Sequence, residues 1–359
     1  MPHRCLLLTF GVLLAARISE GAGTSPAYAI IDLGTFFSGD DVQASAINNN
    51  GVVVGTDGSR GIGFYWDGSL HPLPPLSGDA SSGPTAINSL GWIAGQSFSA
   101  PHLNGVVWIN GTPSLLPVPG TSVHPSGINT AGTVVGTSGV GLSSRAFLVS
   151  HGASSSTDLG TLGGTTAEAY AINDAGAVVG SADTANENSR AFIWRAGQMT
   201  QLSDLGLSSA AFCINQQGIA GGFVLRPDFT RQAVLWAANG ARSNLPNLAG
   251  AGDAEVWGVN QSGLAVGDAN GVAALWSNGS VESLLTLVGA NSGWNRLNMA
   301  YGVNDSGEIV GWGIRDNTGT DHAFLLVPVP EPGCLAFVGM FLFFFTRPIR
   351  CRVLSCKSS

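Results

Sequence analysis

At 359 residues the chain exceeds one ordinary domain and is long enough for two, or for one large ring. Only 11% of residues are charged, against 44% hydrophobic and 51 Gly, which excludes a solvated disordered chain. Net charge is −8 and the one lysine is Lys357, so there is no basic surface to neutralise phosphates, and nucleic acid is excluded as a partner.

Residues 1–29 read as a secretory signal. His3 and Arg4 form a short n-region, an apolar stretch runs from Cys5 to Ala16, and Ala27-Tyr28-Ala29 is an A-x-A-like cleavage site. An alternative cut lies near Gly21-Ala22-Gly23. Next comes an isolated strand, Ile30-Ile31-Asp32-Leu33-Gly34-Thr35. It has no partner in its own unit and resembles a segment far downstream, Thr157-Asp158-Leu159-Gly160-Thr161.

From there the pattern [Ile/Val]-Asn-x-x-Gly-x-x-x-Gly occurs seven times, at Asn48, Asn88, Asn129, Asn173, Asn215, Asn260 and Asn304. The first Gly of each copy falls at Gly51, Gly91, Gly132, Gly176, Gly218, Gly263 and Gly307. Two apolar strands flank each Asn-x-x-Gly turn. Asn suits the first position of a type I turn, because its side chain bonds the backbone two residues on; Gly at the fourth position adopts the left-handed conformation that closes the hairpin. The second Gly lies inside the next strand, where a missing side chain permits close backbone approach.

A third strand follows in each copy, as Gly63-Phe64-Tyr65-Trp66, Gly105-Val106-Val107-Trp108 or Arg190-Ala191-Phe192-Ile193-Trp194. Asp67-Gly68, Asn110-Gly111, Asn239-Gly240 and Asn278-Gly279 then signal type I′ hairpins into a fourth strand. The Trp stripe reads as core between units. Four strands in 40–45 residues make a propeller blade. The seventh copy ends after its third strand, so the isolated strand near Ile30 supplies the fourth. Residues 30–327 are therefore expected to form an all-β, seven-bladed propeller closed by its N-terminal strand; a β-solenoid is the runner-up but leaves the complementary ends unexplained.

Residues 328–359 differ in character. Pro330-Glu331-Pro332 precedes an apolar run from Cys334 to Phe345, followed by Arg347, Arg350 and Arg352, a stop-transfer pattern with the Arg cluster on the cytoplasmic side. The uninterrupted apolar run is about 13 residues, shorter than the roughly 20 a spanning helix needs. This segment resembles the PEP-CTERM sorting signal of Gram-negative exporters. The resemblance implies export, attachment to the membrane through the C-terminal segment, processing by an exosortase-like enzyme and a link to exopolysaccharide or matrix. The body resembles the HAF-repeat extracellular proteins: His322-Ala323-Phe324 matches the tripeptide literally, and Arg145-Ala146-Phe147 and Arg190-Ala191-Phe192 carry Arg in place of His. That resemblance implies an exported repeat domain and brings no activity with it.

No catalytic constellation stands out. There is no Gly-x-Ser-x-Gly elbow, no H-E-x-x-H pair and no EF-type calcium loop, so no metal and no cofactor is expected. Asn173-Asp174 and Asn304-Asp305 lie in hairpin turns and read as local backbone caps rather than calcium ligands. His71, His124 and His151 sit beside turns or Pro and read as solvated; His322 reads as a strand-edge hydrogen-bonder, and Asp40-Asp41 as exposed loop. The longer second-to-third-strand loops, at 182–189, 223–231 and 313–321, share a face with the blade-to-blade connections. They carry Asp183, Glu187, Asn188, Arg226, Asp228, Arg231, Arg315, Asp316 and Asp321, the candidate binding residues. The expectation is a non-enzymatic exported surface or matrix protein that contacts polysaccharide or another protein through that face. A secreted polysaccharide hydrolase or lyase with acids at the channel mouth, and a purely structural ring, are the alternatives.

Overall fold

The computed structural model describes residues 27–140, 143–204, 206–250, 252–315 and 319–329. Strand β1 (Tyr28–Asp32) comes first. Blade one holds β2 (Val42–Ile47), β3 (Val53–Asp57), β4 (Ile62–Trp66) and β5 (Leu70–Leu73); blade two holds β6 (Ser81–Ile87), β7 (Ile93–Ser99), β8 (His102–Ile109) and β9 (Thr112–Leu115). Blade three is β10 (Ser122–Ile128), β11 (Val134–Val140), β12 (Ser143–Val149) and β13 (Thr157–Asp158), and blade four is β14 (Gly163–Ile172), β15 (Val178–Thr184), β16 (Ser189–Arg195) and β17 (Gln198–Gln201). Blade five comprises β18 (Ser208–Ile214), β19 (Ala220–Leu225), β20 (Arg231–Trp236) and β21 (Arg242–Asn244). Blade six has β22 (Ala254–Val259), β23 (Ala265–Ala269), β24 (Val272–Ser277) and β25 (Ser280–Ser283), with a one-turn helix, α1 (Leu284–Leu287). Blade seven is β26 (Trp294–Val303), β27 (Ile309–Arg315), β28 (Asp321–Pro328) and, completing it, β1.

The ring closes as the repeat defect predicts. β1 lies antiparallel to β28, with Ile30 opposite Leu326 and Asp32 opposite Phe324. Asp32 clasps the joint by accepting from Arg315 at 2.7 Å and lying 3.1 Å from His322 Nδ1. The pairing starts two residues before the expected boundary: Tyr28 is buried against Leu326 and its neighbours, and the Val329 N–H donates to the Ala27 carbonyl at 3.0 Å. Pro330, Glu331, Pro332, Arg347, Arg350, Arg352 and Asp316 lie outside the described residues, as does most of the signal segment. Among the described residues no helix is long and apolar enough to cross a membrane.

The repeat motif explains itself in space. Each turn Gly has φ between +76° and +83°. The strand Gly is required by a bulge in the neighbouring inner strand, which presses a carbonyl against it: a Cβ on Gly180 would lie 1.9 Å from the Glu168 oxygen, and one on Gly311 1.9 Å from that of Met299. Third-strand aromatics fill the layers between blades. Trp108, Trp236 and Trp276 are buried and donate their indole N–H at 2.7 Å to Pro74, Ser203 and Pro246, each on the connection leaving the preceding blade. Asn110-Gly111 and Asn278-Gly279 have the positive φ pair of a type I′ turn. Asp67-Gly68 and Asn239-Gly240 do not: only the Gly is left-handed there, and the 240 turn closes four residues, Ala237 to Gly240.

Candidate functional site

Seven first strands, β2, β6, β10, β14, β18, β22 and β26, surround the axis, and each carries a bulge three residues before its Asn. A bulge re-aims the extra side chain, here into the channel. The seven side chains so aimed are Ser45, Thr85 and Ser126 from blades one to three, then Tyr170, Phe212, Trp257 and Tyr301 from blades four to seven; all seven line the central cavity.

The four aromatics pack on one another in an arc. Tyr170 meets Phe212 edge to face at 5.3 Å, Phe212 stacks parallel on Trp257 at 4.1 Å, and Trp257 meets Tyr301 edge to face at 5.6 Å. They fill one half of the channel. The small hydroxyl residues leave the other half open as an eccentric cavity of about 590 Å³, within the range of small-molecule sites. Its outer rim holds Gln43, Gln96 and His124, with Gln96 Nε2 and Ser122 Oγ at 3.0 and 2.7 Å from the two ring nitrogens of His124. Among the described residues, no Asp or Glu lines this cavity. Cys213 lies in its wall with its thiol pushed up to about 12 by burial, so it is held as an unreactive thiol.

Titratable groups around the arc are tuned by burial. The Tyr170 phenol is raised by burial and further by the Glu168 carboxylate to which it donates, and that of Tyr301 is raised by burial. Behind the arc, burial raises Asp268, against the lowering pull first of the Gly271 N–H it accepts from at 3.2 Å and then of the facing Trp257 indole N–H, which does not reach full hydrogen-bond geometry. Burial likewise raises Glu255, against the opposing pull of the Arg231 guanidinium it accepts from.

At the opposite end the seven Asn form a closed circle. Each Nδ2 donates to the main-chain carbonyl of the next blade's Asn, from Asn48 through Asn88, Asn129, Asn173, Asn215 and Asn260 to Asn304, which donates back to Asn48, at 2.9–3.3 Å. All seven are at least 94% buried. The purely local role expected of Asn173 is therefore corrected. Its Oδ1 does hold its own turn, accepting from the Ala177 N–H at 3.0 Å, but its Nδ2 leaves the turn for the Asn215 carbonyl at 3.1 Å. Its neighbour Asp174 also reaches out of the turn, accepting from the Thr130 N–H of the preceding blade at 2.8 Å. Ring closure, which stacks the turns side by side, is what turns local caps into links between blades. Ile87, Ile128 and Ile172 border both the central cavity and a polar recess of about 310 Å³ at this end, and so separate the two.

The candidate residues predicted on loops are not gathered into one site. Strands run further than expected, so Asp183, Arg231, Arg315 and Asp321 lie within β15, β20, β27 and β28, because their backbones continue the hairpin ladders. Their side chains are engaged locally: Asp183 accepts from Thr166, Arg231 pairs with Glu255, Arg315 with Asp32, and Asp321 accepts from Gln43 at 2.7 Å. Arg226 and Asp228 both reach Thr230, and Glu187 and Asn188 form the tight turn after β15. Asp40, expected in exposed loop, is 5% exposed, paired with Arg60 at 2.9 Å and in contact with the fully buried Asp57. His124, expected on the surface, is exposed but stands at the cavity rim.

No family model matches the sequence, and no curated protein does. The fold is shared with solved propellers. A streptogramin B lyase is 11% identical, with 84% of this chain covering 98% of that one at a TM-score of 0.57. A catalytically inactive virginiamycin B lyase from Staphylococcus aureus with quinupristin is 13% identical over 84% of this chain and 100% of that one, at 0.55. YCF48 bound to D1 peptide is 11% identical over 86% and 99%, at 0.52. At such identities the likeness is one of fold: this chain is a β-propeller.

Proposed function

We propose that the protein is a non-enzymatic, exported recognition ring, kept at the cell surface through its C-terminal segment and processed there by an exosortase-like enzyme, which binds extracellular polysaccharide at the aromatic end of its channel. Protein contact through the same mouth is the other form of this reading. The observation that carries it is the eccentric cavity of about 590 Å³, walled by aromatic edges on one side and Ser and Thr hydroxyls on the other. The Ser45 hydroxyl, unengaged among the described residues, both donates and accepts, and the Thr85 hydroxyl, which donates to the Pro125 carbonyl at 2.7 Å, keeps acceptor capacity, which suits a polyol. A hydrolase of polysaccharide would use carboxylates about 5–10 Å apart at the reacting bond; the cavity lining offers amide, hydroxyl and imidazole groups instead.

The test is a glycan array with the wild-type ring and with Ser45→Trp. Equivalent positions in other blades already carry Trp257 and Tyr301, so the substitution fits the fold and fills the open half of the channel. Binding in the wild type that is lost in S45W supports the reading; no binding to any glycan by a folded wild type removes it. Mass spectrometry of the mature C-terminus checks processing, which predicts a chain end within the segment after Val329.

A further inference from the structure

A second cavity opens beside the channel, between blades four and five. It measures about 280 Å³, just below the usual lower size of a small-molecule site, about 300 Å³. It shares Tyr170 and Phe212 with the central cavity, so the two spaces meet across the same pair of rings. Phe212 and Phe223, 5.7 Å apart, form its apolar side. The remaining lining is hydroxyl-rich, with a single carboxylate, Glu168, and neither Lys nor Arg.

Several of these polar groups are accessible and unengaged. Glu168 Oε2 accepts from Tyr170, while Oε1 has no partner among the described residues. Ser189 and Ser208 are half-buried, and among the described residues neither hydroxyl makes a hydrogen bond. One acceptor and two groups that both donate and accept, set against an aromatic wall, complement a small uncharged polyol. An anionic sugar would meet Glu168 with no cation to offset it.

We propose that this inter-blade pocket is a subsite for one neutral hexose unit, adjoining the unit held in the channel, with Glu168 accepting from a sugar hydroxyl and Ser189 and Ser208 bonding others. This rests on the reading of the channel mouth as a glycan site and specifies its ligand: a neutral oligosaccharide of at least two units.

Titration calorimetry of the full chain with neutral gluco-, manno- and galacto-oligosaccharides of one to four units, beside uronate-containing and sulfated ones, tests it. Affinity for a matching neutral sugar rises from one unit to two. Ser208→Phe, which fills the side pocket, removes that gain, so that two units bind no more tightly than one. Glu168→Gln, which keeps the shape and an acceptor for Tyr170, weakens the two-unit ligand about tenfold, the size expected for a hydrogen bond to a charged group. If Ser45→Trp abolishes binding while Ser208→Phe and Glu168→Gln leave every chain length within twofold, the subsite is refuted and the channel reading stands. Preference for uronate or sulfated sugars refutes the neutral assignment, and absence of any glycan binding refutes both.

Discussion

Asn215 shows how much one amide does in this ring. Its Oδ1 accepts from the N–H groups of Gln217 and Ile219 at 3.0 and 2.9 Å, holding its own turn, and its Nδ2 donates to Asn260 in the next blade at 3.0 Å. Removing the amide leaves buried donors and an acceptor without partners, so Asn215→Ala should lower stability by about 1–3 kcal/mol in urea denaturation. Gln198→Ala, on an exposed outer strand, should stay within about 0.5 kcal/mol; equal effects would mean that the buried circle adds nothing. Asp57 carries a second residue-scale expectation. Burial and the neighbouring Asp40 carboxyl raise its pKa, and Arg60 lowers that of Asp40. A raised folded value means that the fold binds this proton more tightly than the unfolded chain does. The associated stabilisation is complete below the ordinary aspartate value of 3.8 and is lost as pH climbs through the raised one. Asp57→Asn supplies a permanent donor in place of that proton, so it should raise the melting temperature at pH 7 and change it little at pH 3; a gain equal at both pH values would argue against protonation of Asp57 as its cause. The turn chemistry of Asn and Gly was readable from the sequence, because it is local. The circle was not, since Nδ2 bonds a residue 40–45 positions away, brought near by the stacking of neighbouring blades, and only closure brings Asn304 to Asn48, 256 positions away.

At the scale of elements, β1 shows where the sequence speaks plainly and where it does not. A unit short of one strand and a strand without a unit name each other, and Ile30 does face Leu326. The A-x-A signal at Ala27-Tyr28-Ala29, by contrast, lies in the ladder. Tyr28 is 8% exposed and pairs with Pro328, so a cut after Ala29 would remove a buried ring and shorten the clasp. Cleavage near Gly21-Ala22-Gly23 keeps it. If the protein is exported as proposed, N-terminal sequencing of the mature chain should therefore find a start before Tyr28; a start at Ile30 would show that three strand residues suffice to shut the ring. The inner-strand bulges were hidden for a different reason. A column reading Ser45, Thr85, Ser126, Tyr170, Phe212, Trp257 and Tyr301 is visible once the copies are aligned on Asn. Period-two alternation, however, assigns it no side of the sheet, because the bulge breaks that alternation. The candidate residues on the longer loops follow from loop position, and the ladders run on through several of them; Arg231 is taken up by Glu255, and Arg315 by Asp32 across the ring joint.

For the whole molecule, closure makes the point of chain entry arbitrary. Ala27 and Val329 are hydrogen-bonded neighbours, so joining them by a short linker and opening the chain at 185–188, an exposed turn, should give a permutant that folds as the parent does. Near-parental far-UV dichroism and melting temperature are expected; an aggregated product would show that β1 must dock last for the ring to form.

The same adjacency sets a direction. β28 runs toward the Asn circle, as its pairing of Leu326 with Ile309 shows, and Tyr28 stands beside Pro328 at that end. Ala27 and Val329 therefore both lie on the side bearing the Asn turns, whereas the aromatic cavity opens on the other. A membrane anchor following Val329, as proposed above, would hold the propeller like a cup on a stem, its bowl turned outward.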